Sequence, residues 1–142
     1  MSRTSLLLDA HALSSLAHSD KAIQPWVAVV AAQQAVMYVS AATLAEVVDG
    51  SARDTAVHRV VNSELRCEPV TDLIGYAAGR LRSGAATSRR KPRDLTVDAL
   101  VVATACTLPR PVVILTSDTY DIDLLLAADR TGTTAGIRSR RV

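Results

Sequence analysis

The chain has 142 residues, of which 49% are hydrophobic and 21% charged. That length and composition suit a single globular domain over residues 1–142 and exclude a disordered chain. There is no Phe, one Trp and three Tyr, so Ala, Val and Leu must fill the core, and no aromatic platform for stacking bases is expected. The net charge of +2 hides an asymmetry: among 16 basic residues only Lys21 and Lys91 are lysines, and Arg is the residue suited to bidentate phosphate contact.

Cys67 and Cys106 lie far apart within apolar runs, which reads as reduced packing thiols and fits a cytoplasmic protein. Arg3 precedes a short leucine run that Asp9 interrupts, so no signal peptide is expected. The longest unbroken apolar stretch, Trp26 to Ala32, is far too short to span a bilayer. A soluble protein without membrane contact follows.

Apolar runs bounded by turn signals alternate with helical patterns, the signature of an α/β fold around a parallel sheet. Ser5 to Asp9, which does not alternate, reads as a strand buried on both faces. A short helix and a second one over roughly Ile23 to Ala35 follow. Val36 to Ser40 is the next strand, and Ser40 can cap a helix that Gly50 ends. Helical spacing resumes from Asp54 to Leu65, "CEPVT" is a short strand, and Asp72 or Thr71 caps a helix to about Arg82. Ser83 to Arg93, "SGAATSRRKPR", has the composition of an exposed loop. A helix opened by Asp94 or Thr96 runs to about Thr107, Pro109 and Pro111 stop it, and "VVILT" is a strand. A helix from Thr119 to about Ala128 and an edge strand in "GIRSRRV" complete the chain.

The acidic residues become informative once placed on these elements. Asp9 ends the first strand and Asp118 lies two residues past "VVILT". In an open α/β sheet, ligands bind outside the carboxyl ends of the strands, where strand order reverses. Glu46 and Asp98 are each set in an otherwise apolar helical run. Taken singly, each acid has an ordinary structural role: Asp98 favours the positive end of its helix, and Asp118 can cap the next one. Taken together, one divalent cation accounts for all four, because carboxylates converging on one place repel unless something positive lies between them. Mg²⁺ or Mn²⁺, which take oxygen ligands, are the candidates.

With those residues placed, the sequence resembles a PIN-domain ribonuclease, specifically a VapC-type toxin of a bacterial toxin–antitoxin pair. The motifs are "LLDAHAL", "LAEVV", "DLTVDALVVATA" and "ILTSD", in that order along nearly the whole chain. The resemblance implies a three-layer α/β/α fold with a central parallel sheet of four to five strands. It also implies a homodimer, Mg²⁺-dependent cleavage of RNA (with Mn²⁺ as the alternative ion), and a small antitoxin whose segment fills the active-site groove. The family's acids map onto Asp9, Glu46, Asp98 and Asp118, with Asp121 as an accessory and Thr116 and Ser117 as the hydroxyls before the last acid. Asp9, Asp98 and Asp118 would hold the metal, and Glu46 would complete the coordination or orient water. His11 departs from the family, where a small polar residue is usual, and reads as a filler of the pocket rim.

Arg89, Arg90 and Arg93 are the expected contacts to the RNA backbone, and Asp123 is expected to face away from the groove. Two other acid-rich folds fit less well. A receiver-type phosphoacceptor domain would want a Lys after a late strand, and a haloacid-dehalogenase-like phosphatase would want Asp at position 11. The alternative from another class is a non-catalytic module that binds RNA or antitoxin without cutting.

Overall fold

The structure is a computed structural model that describes residues 3–86 and 94–142. The five strands are β1 (Thr4–Leu8), β2 (Ala35–Ser40), β3 (Arg66–Glu68), β4 (Val112–Thr116) and β5 (Ile137–Arg141). The helices are α1 (Ala10–Ala17), α2 (Gln24–Ala31), α3 (Ala41–Val47), α4 (Asp54–Ser63), α5 (Asp72–Ala86), α6 (Thr96–Ala105) and α7 (Thr119–Ala127). The strands form one sheet in the order β3-β2-β1-β4-β5, and every pairing is parallel. The α/β architecture read from the sequence is therefore present, with five strands.

Parallel strands bury both faces, because the crossover helices must cover them. β1 and β4 accordingly carry apolar residues without alternation, and Leu6, Leu7, Leu8, Ile114 and Leu115 are all inaccessible to solvent. On one face Leu7, Tyr38, Val112 and Ile114 pack with α5, α6 and α7. On the other, Leu6, Leu8, Met37, Val39, Val113 and Leu115 pack with α1, α2 and α4. Three layers result.

Several boundaries differ from expectation for identifiable reasons. α3 stops at Val47, with Val48 as its C-cap, and Gly50 adopts φ +85° in the turn beyond. There Asp54 takes over, its carboxylate accepting from the N–H groups of Asp49 and Gly50 at 3.2 and 2.7 Å. α5 runs on to Ala86. Ser83 to Ala86, expected in the loop, are helical because Leu81 and Ala85 stay on the buried face. The rest of that loop, with Arg89, Arg90 and Arg93, lies outside the described residues. Cys67 is exposed on the short edge strand β3, so it is not a packing thiol; Cys106 is partly buried, and both are free. No helix among the described residues is long and apolar enough to cross a membrane.

The turn leading into β5 is held from two sides. Arg110 donates to the carbonyls of Cys106 and Leu108 at 2.9 and 2.8 Å and to those of Thr133 and Ala135 at 2.6 and 3.1 Å. The Asp129 carboxylate accepts from the N–H and hydroxyl groups of Thr131 and Thr134. These donors, the Thr131 hydroxyl foremost, hold the Asp129 carboxyl well below the usual carboxylate range. A depressed folded value stabilises the fold above the unfolded value and loses that effect as pH falls through the folded one. Asp129→Asn should therefore lower the urea midpoint at neutral pH and flatten its decline below about pH 4, measured by denaturation across an acid series.

Candidate active site

Strand order sets the site. The chain lays down β1, β2 and β3 outward in one direction, then returns to place β4 on the other side of β1. The switch point lies between β1 and β4, so the loops leaving their carboxyl ends diverge and open a crevice there. Leu8 pairs with Leu115 in the β1–β4 register, and the Asp9 N–H continues the ladder by donating to the Leu115 carbonyl at 3.0 Å. Asp9 leaves the end of β1 at this crevice. Asp118 leaves β4 two residues past its end, on a strand about 4.8 Å away.

Each of these carboxylates also caps a helix. Asp9 Oδ1 accepts from the Ala12 N–H at 2.9 Å and opens α1. Asp118 Oδ1 accepts from the Tyr120 N–H at 3.0 Å and opens α7. The Thr116 hydroxyl, buried at the end of β4, accepts from the Asp118 N–H at 3.0 Å and fixes the turn between them. The ordinary structural role foreseen for Asp118 is thus real. Capping engages one oxygen of each carboxylate at a positive helix end, so it orients these acids at the crevice.

The other two acids arrive on helices. α6 precedes β4 and runs back against the strand direction. Its ten residues span about 15 Å, close to the length of the strand it covers. Its first turn, which carries the partly buried Asp98, therefore lies at the carboxyl edge of the sheet. α3 begins where β2 ends: Ser40 Oγ accepts from the Ala42 N–H at 3.2 Å, the cap expected from sequence. Glu46 is exposed on α3 and lines a polar cleft of about 350 Å³ with His11, Ser14, His18, Asp49 and Arg53. His11 is exposed and lines this cleft. Asp121 is fully buried on α7, whereas Asp123 points away to β5, its Oδ1 accepting from Ser139 Oγ at 2.7 Å. None of Glu46, Asp98, Asp118 and Asp121 stands without a partner.

Asp9 and Asp118 therefore stand beyond the carboxyl ends of adjacent strands, with Asp98 in the first turn of α6, whereas Glu46 lies in the last turn of α3 and lines a cleft that none of the other three lines. The side chains themselves do not close into a cage: among the described residues, no group of three or more His, Cys, Asp or Glu is arranged to hold a metal ion. One observation nonetheless matches a hard cation. The acids at the edge offer only oxygen, and Mg²⁺ commonly binds through one or two carboxylates while keeping its waters. A further feature was not legible in the sequence. Thr43, one turn before Glu46 on α3, is fully buried, and its Oγ1 has no hydrogen-bond partner among the described residues. A buried hydroxyl left unsatisfied costs about 1–3 kcal/mol, and Thr43 does not itself line the Glu46 cleft.

No protein-family model and no curated protein matches the sequence. Solved structures do share the fold. One is a chain in the crystal structure of VapBC2 from Rickettsia felis bound to a DNA fragment from their promoter. It is 12% identical, with a TM-score of 0.68, and the match covers 97% of this chain and 98% of that one. Another, in the crystal structure of DNA bound VapBC from Salmonella typhimurium, is 16% identical with a TM-score of 0.65, again covering 97% and 98%. At such identities the likeness is one of fold. The fold is PIN-like, as the resemblance implied.

The orphaned hydroxyl gives a direct test. In metal-free protein, Thr43→Val should leave stability unchanged or raise it by about 1 kcal/mol, read from urea denaturation in EDTA. A clear loss of stability would mean that the hydroxyl has a partner in the folded protein.

Proposed function

We infer that this chain is a metal-dependent endoribonuclease, a hydrolase of RNA phosphodiester bonds, acting as the toxin of a toxin–antitoxin pair. The observation that carries this reading is the placement of Asp9 and Asp118 beyond adjacent parallel strands at the topological switch point. The fold shared with chains of two VapBC structures supports the pairing with an antitoxin, and the basic, arginine-rich composition suits a polyanionic substrate. A non-catalytic module that only binds RNA or antitoxin has nothing specific in its favour, since none of the four acids has been lost from the sequence.

Asp9, Asp98 and Asp118 hold the cation, Mg²⁺ or Mn²⁺. When bound, such an ion acidifies a water and neutralises charge on the phosphoryl oxygens. Glu46, exposed at the cleft, accepts a hydrogen bond from the attacking water and so orients it. Thr43 lies beneath Glu46 on the same face of α3, and its hydroxyl donates to the ordered solvent of the site. Asp121 is buried in the first turn of α7, one turn after Asp118. Arg89, Arg90 and Arg93 contact the RNA backbone. The partners are RNA, a small antitoxin and a second copy of the chain. For the last, the exposed Leu73 and Tyr76 on α5, 75% and 68% accessible, supply an apolar patch of the kind homodimers cover.

Two outcomes follow. Mg²⁺ should raise the melting temperature of the wild-type protein, because a ligand that binds only the folded state stabilises it. Asp9→Asn and Asp98→Ala should lose that rise together with at least a hundredfold in RNA cleavage, with circular dichroism unchanged. Full Mg²⁺-dependent cleavage by Asp98→Ala would defeat the assignment. Affinity for single-stranded RNA should also fall with salt, and neutralising Arg89 and Arg90 together should reduce the log–log slope by about 1.4. An unchanged slope would remove these arginines from the interface.

A further inference from the structure

The chain has four aromatic rings, and their positions are unequal. Tyr38 is buried in the core and Trp26 packs partly buried. Tyr76 is exposed on α5, and Tyr120 is 57% exposed on α7. A single exposed ring is ordinary on a protein surface; what distinguishes Tyr120 is where it stands. It follows Asp118 by two residues, and its N–H is held by the Asp118 carboxylate.

Asp123 is three residues further on, so it shares a flank of α7 with Tyr120. Asp123 bonds Ser139 of β5, and that flank therefore borders β5. Tyr120 lies three residues, about 4.5 Å, nearer the carboxyl edge. β5 keeps pace with it. Arg141 is two residues beyond Ser139 on the same face of the strand, an advance of about 6.6 Å. Arg141 thus comes level with the first turn of α7. The register agrees: Arg141 pairs with Thr116, and the Val142 N–H donates to the Thr116 carbonyl at 3.0 Å. Arg138 and Arg140 alternate to the other face, and all three arginines are exposed. Charge on an edge strand discourages unwanted pairing. That purpose explains the arginines, but it does not explain a bare ring beside them at the rim of an acidic crevice.

We propose that Tyr120 and Arg141 form a nucleotide subsite for single-stranded RNA flanking the bond to be cut. The ring stacks on one base and the Arg141 guanidinium takes the adjoining phosphate. The proposal rests on the ribonuclease reading and adds to it the side of the crevice along which the strand runs, from the acids toward β5. Stacking on an aromatic side chain tolerates any base, and arginine contacts to phosphate carry no sequence information. This subsite therefore fixes register and leaves base choice to other residues.

The test is equilibrium binding of a short fluorescein-labelled single-stranded RNA of mixed sequence to the full chain in EDTA, followed by anisotropy. Tyr120→Ala should weaken binding roughly fivefold to a hundredfold, with an unchanged melting temperature. Tyr120→Phe, which keeps the ring, should restore it. An RNA with an abasic position at the stacked nucleotide should bind wild type and Tyr120→Ala equally. Arg141→Gln should lower the salt slope by about 0.7, more than Arg140→Gln on the other face of β5 or Arg66→Gln at the opposite edge of the sheet. Wild-type affinity in Tyr120→Ala would overturn the subsite and assign the ring to a protein partner, while the ribonuclease reading would survive if that variant still cleaved. A wild-type protein that neither bound nor cut RNA would sink both.

Discussion

Repulsion between carboxylates is the constraint on which this structure turns. Two such groups about 4 Å apart oppose each other by roughly 4 kcal/mol at an effective dielectric near 20. The fold nevertheless places Asp9 and Asp118 beyond the carboxyl ends of adjacent parallel strands. Part of the charge is met by the fold itself. Asp9 and Asp118 each lie at a helix N-terminus and accept its first free N–H groups, where the helix dipole favours a negative charge. Asp98 lies in the first turn of α6, near the same favourable helix end. For Asp9 and Asp118, capping and placement are thus one arrangement: the helix end that accepts each acid also holds it at the crevice.

The parallel sheet is what makes this possible. In a parallel ladder all carboxyl ends lie on one side, and the helices that return the chain begin there. An acid placed at a strand end or in the first turn of a returning helix arrives at the same edge whatever its sequence separation. Asp9 and Asp118 are 109 positions apart in the numbering, yet the β1–β4 register makes their strands immediate neighbours. The apolar strands matter to the site for the same reason. Leu8 and Leu115 are fully buried on one face and Ile114 on the other, so the strand ends cannot drift and the crevice keeps its width.

How much of this was legible in the sequence follows from which features are local. Buried parallel strands announce themselves by unbroken runs such as "LLL" and "VVILT", and caps by Ser40 or Asp118 ahead of an apolar pattern, because both depend on near neighbours. The placement of Asp9 and Asp118 beyond the ends of β1 and β4 was legible in the same way. Features that depend on packing were not. Nothing in "SGAATSRRKPR" shows that its first four residues remain helical; that follows from Ala85 being covered in the core. Cys67 lies in an apolar-looking run but on a three-residue edge strand, where one side chain is left outside. The orphaned hydroxyl of Thr43 is likewise invisible in sequence, since it requires knowing that α3 is enclosed there.

The same distinction bears on the aromatic residues. Composition excluded a platform of several rings, and the structure has none among the described residues, but composition is silent on where a single ring stands. Placement decides here because binding energy at a nucleic-acid surface comes from few contacts of different kinds: charge that attracts any backbone, and a flat surface that any base can cover. A chain with four rings can spare one for this purpose only if Ala, Val and Leu suffice for the core, and the cores on both faces of this sheet are built almost wholly from aliphatic side chains. The aliphatic composition that first argued against base stacking is thus also what leaves Tyr120 free of the core and beside the acids.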